Sequence, residues 1–177
     1  RLEKAIFLLA IPMILEMIME SVFAVVDIFF VSKLGPDAVA TVGITESIMT
    51  LVYAIGFGLS ISTTALVSRR IGEKDHDRAA SVAVQAIFTG FVFSLLIAIP
   101  GLIIGREILI LMGAEKGVIE DGYRYTMIML GGNVVIMLLF IINAVFRSAG
   151  DAALSMKVMI MANLLNIILD PCLIFGW

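Results

Sequence analysis

The sequence has one cysteine and one histidine in 177 residues. Cys172 stands alone in an apolar stretch, so an internal disulfide is excluded and nothing follows about redox compartment. His76 lies between Asp75 and Asp77 in a charged turn, where a solvated role is the expectation. With no other histidine, an intramembrane hydrolase lacks a nucleophile–base pair. No His-Glu-x-x-His, Gly-x-Ser-x-Gly or phosphate-cradling glycine loop is present, so no enzyme and no cofactor is expected. Basic tracts and aromatic–basic stripes are missing too, which removes nucleic acid as a partner.

What the chain has is hydrophobicity. Apolar residues make up 61% of it and the mean hydropathy is +1.11, far above a water-soluble domain. Five runs meet the requirement of about 20 mostly apolar residues per membrane-spanning helix. They lie near Ala5–Val31, Ala38–Val67, Ala79–Ile104, Tyr123–Phe146 and Leu154–Gly176. The expected fold is therefore all-α, a polytopic membrane helix bundle whose partner is the lipid bilayer. The first run is too long for the core of a signal peptide. A chain that opens on Arg1 and stops at Phe175-Gly176-Trp177 is expected to be a fragment.

Basic residues set the expected orientation. With a cytoplasmic N-terminus, Arg1, Lys4, Arg69, Arg70, Lys74, Arg78, Arg147 and Lys157 fall inside, against Lys33, Arg106, Lys116 and Arg124 outside. The stretch Ile108–Met112, followed by Gly113, is either a short interfacial helix or the frayed end of the third run. Two inner connections share Arg-x-x-Gly-acid, at Arg69–Glu73 and Arg147–Asp151. Generic helix capping accounts for that match, with an internal duplication as the alternative.

Buried carboxylates are the informative exception to the apolar pattern. One charge at the centre of a spanning helix costs about 2.5–3.5 kcal/mol, so Glu16, Glu20 and Asp27 together cost about 8–10. At 100° per residue the three fall within about 40° on one face. Such a stripe is expected to face protein or water and to bind a proton, a cation or a cationic substrate. The fifth run repeats the pattern: Asn163, Asn166 and Asp170 fall within about 60°, and Pro171 frees the Ile167 carbonyl. Amide, carbonyl and carboxylate oxygens are hard ligands for a small cation such as Na+. Asp27 and Asp170 are expected at comparable depth. The alternatives are a helix-packing Asn beside a proline bend, and for Glu46 a position that reaches the membrane interface. Asn133 and Asn143 in the fourth run fit interhelical hydrogen bonding.

Taken together, these residues resemble the multidrug and toxic compound extrusion (MATE) transporters. The similarity rests on Ala10-Ile11-Pro12-Met13, Val26-Asp27-Ile28-Phe29-Phe30-Val31, Leu34-Gly35-Pro36-Asp37-Ala38 running to Val42-Gly43, the two Arg-x-x-Gly-acid turns, and Asn166-Ile167-Ile168-Leu169-Asp170-Pro171. The resemblance implies twelve helices in two six-helix lobes, of which this chain supplies the first five, the C-terminal half being missing. It implies a secondary-active multidrug exporter in the cytoplasmic membrane, extruding cationic or amphipathic compounds in exchange for H+ or Na+. It also implies a cation site at Asp27, Asn166 and Asp170, with Asn143 at a family position; Pro171, where the helix is expected to kink, is the candidate hinge. Glu16, Glu20 and Glu46 depart from the family pattern, and with Asn163 they are candidates for the substrate cavity. A related lipid-linked saccharide flippase and a non-transporting membrane scaffold are the rival readings.

Overall fold

The structure, a computed structural model, describes residues 2–175, so Gly176 of the fifth apolar run lies outside the described residues. Among the described residues all regular structure is helical. The helices are α1 (Leu2–Val31), α2 (Pro36–Gly72), α3 (His76–Leu111), α4 (Lys116–Gly131), α5 (Asn133–Ser148) and α6 (Ala152–Phe175), with one 3-10 turn at Ser32–Leu34. Among the described residues four spans are long and apolar enough to cross a membrane, Pro36–Gly72, His76–Leu111, Lys116–Ser148 and Ala152–Ile174, while α1, which carries Glu16, Glu20 and Asp27, is not one of them. Leu, Ile and Phe side chains cover their outer surfaces, as a helix bundle solvated by lipid requires.

The helices run further than the apolar runs. With 37 residues, α2 is about 55 Å long against a hydrocarbon core of about 30 Å. Arg69 and Arg70 continue its last turn, both paired with Glu73 at 3.0 and 2.7 Å. The hydrogen bonds from Arg70 and then Arg69 hold the Glu73 carboxyl below the usual carboxylate range. Ile108–Leu111 is ordered helix on the far side of a kink, in line with a short helical segment and not with a frayed end. It continues α3 beyond a non-helical residue at Ile104, which lies between Pro100-Gly101 and Gly105. The fourth span begins seven residues before Tyr123, because Lys116–Asp121 is too polar to register as an apolar run. Gly132 interrupts that span.

The two Arg-x-x-Gly-acid turns differ in geometry. Gly150 adopts the left-handed conformation expected after a helix end, with φ +88°. In the other turn Gly72 is still helical and Lys74 takes the positive φ, at 59°. Generic capping describes only the second. There Asp151 caps α6 by accepting from the Leu154 N–H at 3.1 Å, while Asp75 caps α3 by accepting from Arg78 N–H at 3.0 Å.

The chain forms two compact units, one of α1 and α6 and the other of α2 to α5. The core of the second is built on small residues. α2 buries Thr41, Thr45, Gly56, Ser60 and Thr63 on one stripe, and α3 buries Gly90, Ser94, Ala98, Gly101 and Gly105. Lipid supplies no hydrophobic drive between helices, so close backbone approach and interhelical hydrogen bonds hold such bundles together. Thr45 and Thr126 share a buried hydrogen bond of 2.9 Å between α2 and α4. Arg147 donates to the Ser60 hydroxyl at 3.4 Å. At the Gly132 break the Asn133 amide donates to the carbonyls of Ser94, at 3.2 Å, and Leu130. The bond to Ser94 ties α5 to α3, the interhelical role expected of Asn133.

The threonine pair gives a direct test of this packing. A double-mutant cycle with Thr45→Val and Thr126→Val, read as thermal stability of the protein, is expected to return a coupling of about 0.6–1.7 kcal/mol. Additive single effects would show that the pair contributes nothing.

Candidate functional site

α6 turns one face inward within the first unit. Its buried positions Ala152, Ser155 and Asn163 are followed on the same face by half-buried Asn166 and Asp170. The spacing of three and four residues keeps them on one side of the helix. Four of the five are polar, in a span whose other residues are apolar apart from Lys157.

Asn163 is 3% exposed, and its amide N–H donates to the Met159 carbonyl at 3.0 Å. One turn on, Asn166 donates its amide N–H to Asp170 Oδ1 at 2.8 Å. That bond fixes which way both side chains point. The Oδ1 atoms of Asn163 and Asn166, Asp170 Oδ2 and the Ser155 hydroxyl oxygen are buried without a hydrogen-bond partner among the described residues. A buried acceptor left unmatched costs about 1–3 kcal/mol, so those of Asn163, Asn166 and Asp170, within about two turns, mark a place built for something polar. Ser155 lies about 22 Å along the helix from Asp170.

Pro171 follows directly, and α6 continues through it to Phe175. The proline has no N–H to give the Ile167 carbonyl one turn earlier, which adds a further oxygen to the same stretch of helix.

Asp27 is half-buried on α1, near enough for its charge to act on Asp170. Asp27, Asn166 and Asp170 are thus brought together by the packing of α1 on α6. Neither Asp27 nor Asp170 has a basic side chain within ion-pair distance among the described residues, where the ion pairs sit at residues 69–78. The acidic stripe on α1 is not uniform. Glu16 is half-buried, whereas Glu20 is exposed at the edge of the stripe.

Glu46 and Asn143 belong to the other unit. Glu46 is half-buried on α2 and accepts a hydrogen bond from the Tyr53 hydroxyl at 3.2 Å, two turns along the same helix. Asn143 is half-buried on α5. Two contributors went unnoticed at the level of sequence. Ser155 lies eight residues before Asn163 on the same helix face, and Tyr53 lies seven after Glu46. Both spacings are helical, but serine and tyrosine are unremarkable inside a spanning helix.

Two carboxylates with amide oxygens make a hard, all-oxygen donor set, suited to a proton or a small cation. No group of three His, Cys, Asp or Glu side chains is placed to hold a metal ion among the described residues.

Comparison with known proteins agrees with this architecture. The MatE family model matches residues 12–172. The chain is 29% identical over 154 residues to an FAD transporter of Shewanella oneidensis, covering 87% of this chain and 34% of that protein. It is 25% identical over 175 residues to the multidrug export protein MepA of Staphylococcus aureus, covering 98% of this chain and 39% of MepA. A MOP superfamily transporter from Pyrococcus furiosus superposes with a TM-score of 0.90 at 32% identity, over 98% of this chain and 38% of that one. The outward-facing structure of a multidrug resistance MATE family transporter gives the same values. The chain therefore spans between a third and two fifths of the length of these relatives.

Proposed function

The chain belongs to the MatE family, and on that premise we propose that it forms most of the first lobe of a secondary-active exporter. The whole transporter has two six-helix lobes and works by alternating access in the cytoplasmic membrane, with the N-terminus of this chain on the cytoplasmic side. It extrudes cationic or amphipathic compounds in exchange for H+ or Na+. No bond is made or broken, so the protein is a transporter and not an enzyme.

One observation carries this reading: Asn166 holds Asp170 by one oxygen and leaves the rest of the cluster unmatched, beside Asp27 and with no basic side chain within ion-pair distance of either acid among the described residues. A site with two carboxylates and no resident cation in its walls has to recruit one. A proton or Na+ on Asp27 and Asp170 removes their mutual repulsion, and departure of the ion restores it. Coupling then follows when a cationic cargo and the ion compete for the same negative charge. Pro171 weakens α6 next to the site and gives the helix a place to bend. Within the unit of α1 and α6, Glu16 and Asn163 extend the polar surface on which cargo is recognised, and exposed Glu20 adds negative charge on α1; in the other unit Glu46 is a separate candidate for cargo and Asn143 for the cation. The relatives carry different cargoes by name, FAD in one and multiple drugs in another. The acids Glu16, Asp27 and Glu46 favour cationic cargo for this chain.

The test is efflux of a lipophilic cationic dye from vesicles containing the full-length parent, under imposed Na+ or H+ gradients. Gradient-driven efflux is expected from the parent and at least tenfold less from Asp27→Asn. Efflux independent of both gradients, or unchanged in Asp27→Asn, overturns the coupling assignment. A folded protein that moves no dye redirects the search to lipid-linked substrates.

A further inference from the structure

A second polar feature lies in the other unit, where α3 turns into α4. A cleft of about 300 Å³ opens there, lined by Arg106 and Ile110 of α3 and by Lys116, Ile119 and Glu120 of α4. That volume is at the small end of ligand-binding pockets. Its lining combines two cations and one carboxylate over a buried apolar floor at Ile119.

The three charges do not neutralise one another. None lies within ion-pair distance of an opposite charge among the described residues. Lys116 and Glu120 are spaced for a pair on one helix, but lysine precedes the acid, the less favourable order. The cleft therefore presents separated positive and negative poles.

Its surroundings narrow the ligand. The cleft sits at the hairpin joining two membrane-length spans, where helices leave the hydrocarbon. Beside it the surface is strongly apolar, with Leu111 85% and Ile103 72% exposed. Basic side chains at a helix end above exposed aliphatic ones are the arrangement that meets a lipid phosphate. The nearby acid adds a demand that a purely anionic lipid does not meet.

We propose that this cleft binds a phospholipid headgroup bearing both a phosphate and a primary ammonium, the phosphate at Arg106 and Lys116 and the ammonium at Glu120. The acyl chains then lie along Ile110 and Leu111. Ethanolamine phospholipids have this pair of charges. Phosphatidylglycerol lacks the amine, and choline phospholipids replace its N–H donors with methyl groups. The site is independent of what the transporter exports.

The experiment incorporates the full-length parent into vesicles of equal parts phosphatidylethanolamine, phosphatidylcholine and phosphatidylglycerol, and measures retained lipid by native mass spectrometry after extraction. The parent is expected to retain ethanolamine lipid preferentially. Arg106→Gln with Lys116→Gln should weaken retention of all three, by about fivefold for each charge removed. Glu120→Gln should keep phospholipid but lose the preference for ethanolamine over choline. If the double variant does not fold, Lys116→Gln alone carries the test. Wild-type retention in the basic variants overturns the proposal, as does displacement of lipid by millimolar inorganic phosphate as effectively as by phosphoethanolamine, which would make the cleft a simple phosphate site. Retained preference in Glu120→Gln refutes the ammonium assignment.

Discussion

Gly122→Leu is expected to destabilise the full-length parent severely, lowering both its yield in the membrane and its thermal midpoint. Gly122 is buried on α4, and a β-carbon added there meets the Thr41 side chain on α2, with the Thr41 β-carbon only 2.9 Å away. Thr41 cannot swing aside cheaply. It is β-branched and stiff, and its hydroxyl donates to the Asp37 carbonyl at 2.8 Å. Relief requires α4 to move off α2, and that movement breaks the Thr45–Thr126 hydrogen bond one turn away. Overpacking costs about 1–3 kcal/mol, and loss of the threonine pair adds about 0.6. Gly58→Leu is the control: Gly58 is exposed on α2, with nothing within 4 Å of an added β-carbon, and no loss is expected there. Equal stability of the two variants would show that α2 and α4 do not approach as closely as the structure has them.

This packing is also where the sequence was least readable. Long apolar runs announce spanning helices because lipid demands about 20 apolar residues, whatever the helix packs against. Contacts between the helices leave a fainter mark. Gly90, Gly101, Gly105 and Gly122 look like interruptions in an apolar stretch. Only their spacing with Ser94 and Ala98 on α3, or with Thr126 on α4, betrays a packing face.

Helix ends were obscured for the opposite reason. Once α2 has left the hydrocarbon, charged residues such as Arg69 and Arg70 extend it without cost, so hydropathy stops before the helix does. The Gly132 break was hidden as well, since the bond that anchors Asn133 beside it reaches Ser94, thirty-nine residues away.

The candidate site was more legible because a buried acid in lipid is costly enough to need a reason. Asn166 and Asp170, one turn apart, pointed directly to the contact observed at 2.8 Å. Helical angle alone could not separate Glu16 from Glu20. Both lie on the same nominal stripe, and which of them is covered depends on how α6 crosses α1.

Asp170→Asn is expected to abolish gradient-driven export, by more than the roughly 10–100-fold typical of removing an outer partner of an ion ligand. The substitution keeps the shape of the side chain, and its carbonyl oxygen still accepts from the Asn166 amide. What it removes is the charge and the ability to take up a proton. Structural damage and functional loss therefore separate in this variant. A neutral amide is less costly than a carboxylate inside a spanning helix, so membrane insertion and thermal stability should be equal to or better than those of the parent. Asn166→Leu should behave differently. It leaves the Asp170 charge in place without its 2.8 Å donor, and lowers export by about 10–100-fold while also lowering stability. Loss of export with stability retained in Asp170→Asn assigns the coupling ion to this carboxylate. Wild-type export in that variant removes Asp170 from the mechanism. A parallel fall in stability and export would make the Asn166–Asp170 contact a packing feature of α6, and leave Asp27 as the only acid of the cluster to be tested for coupling.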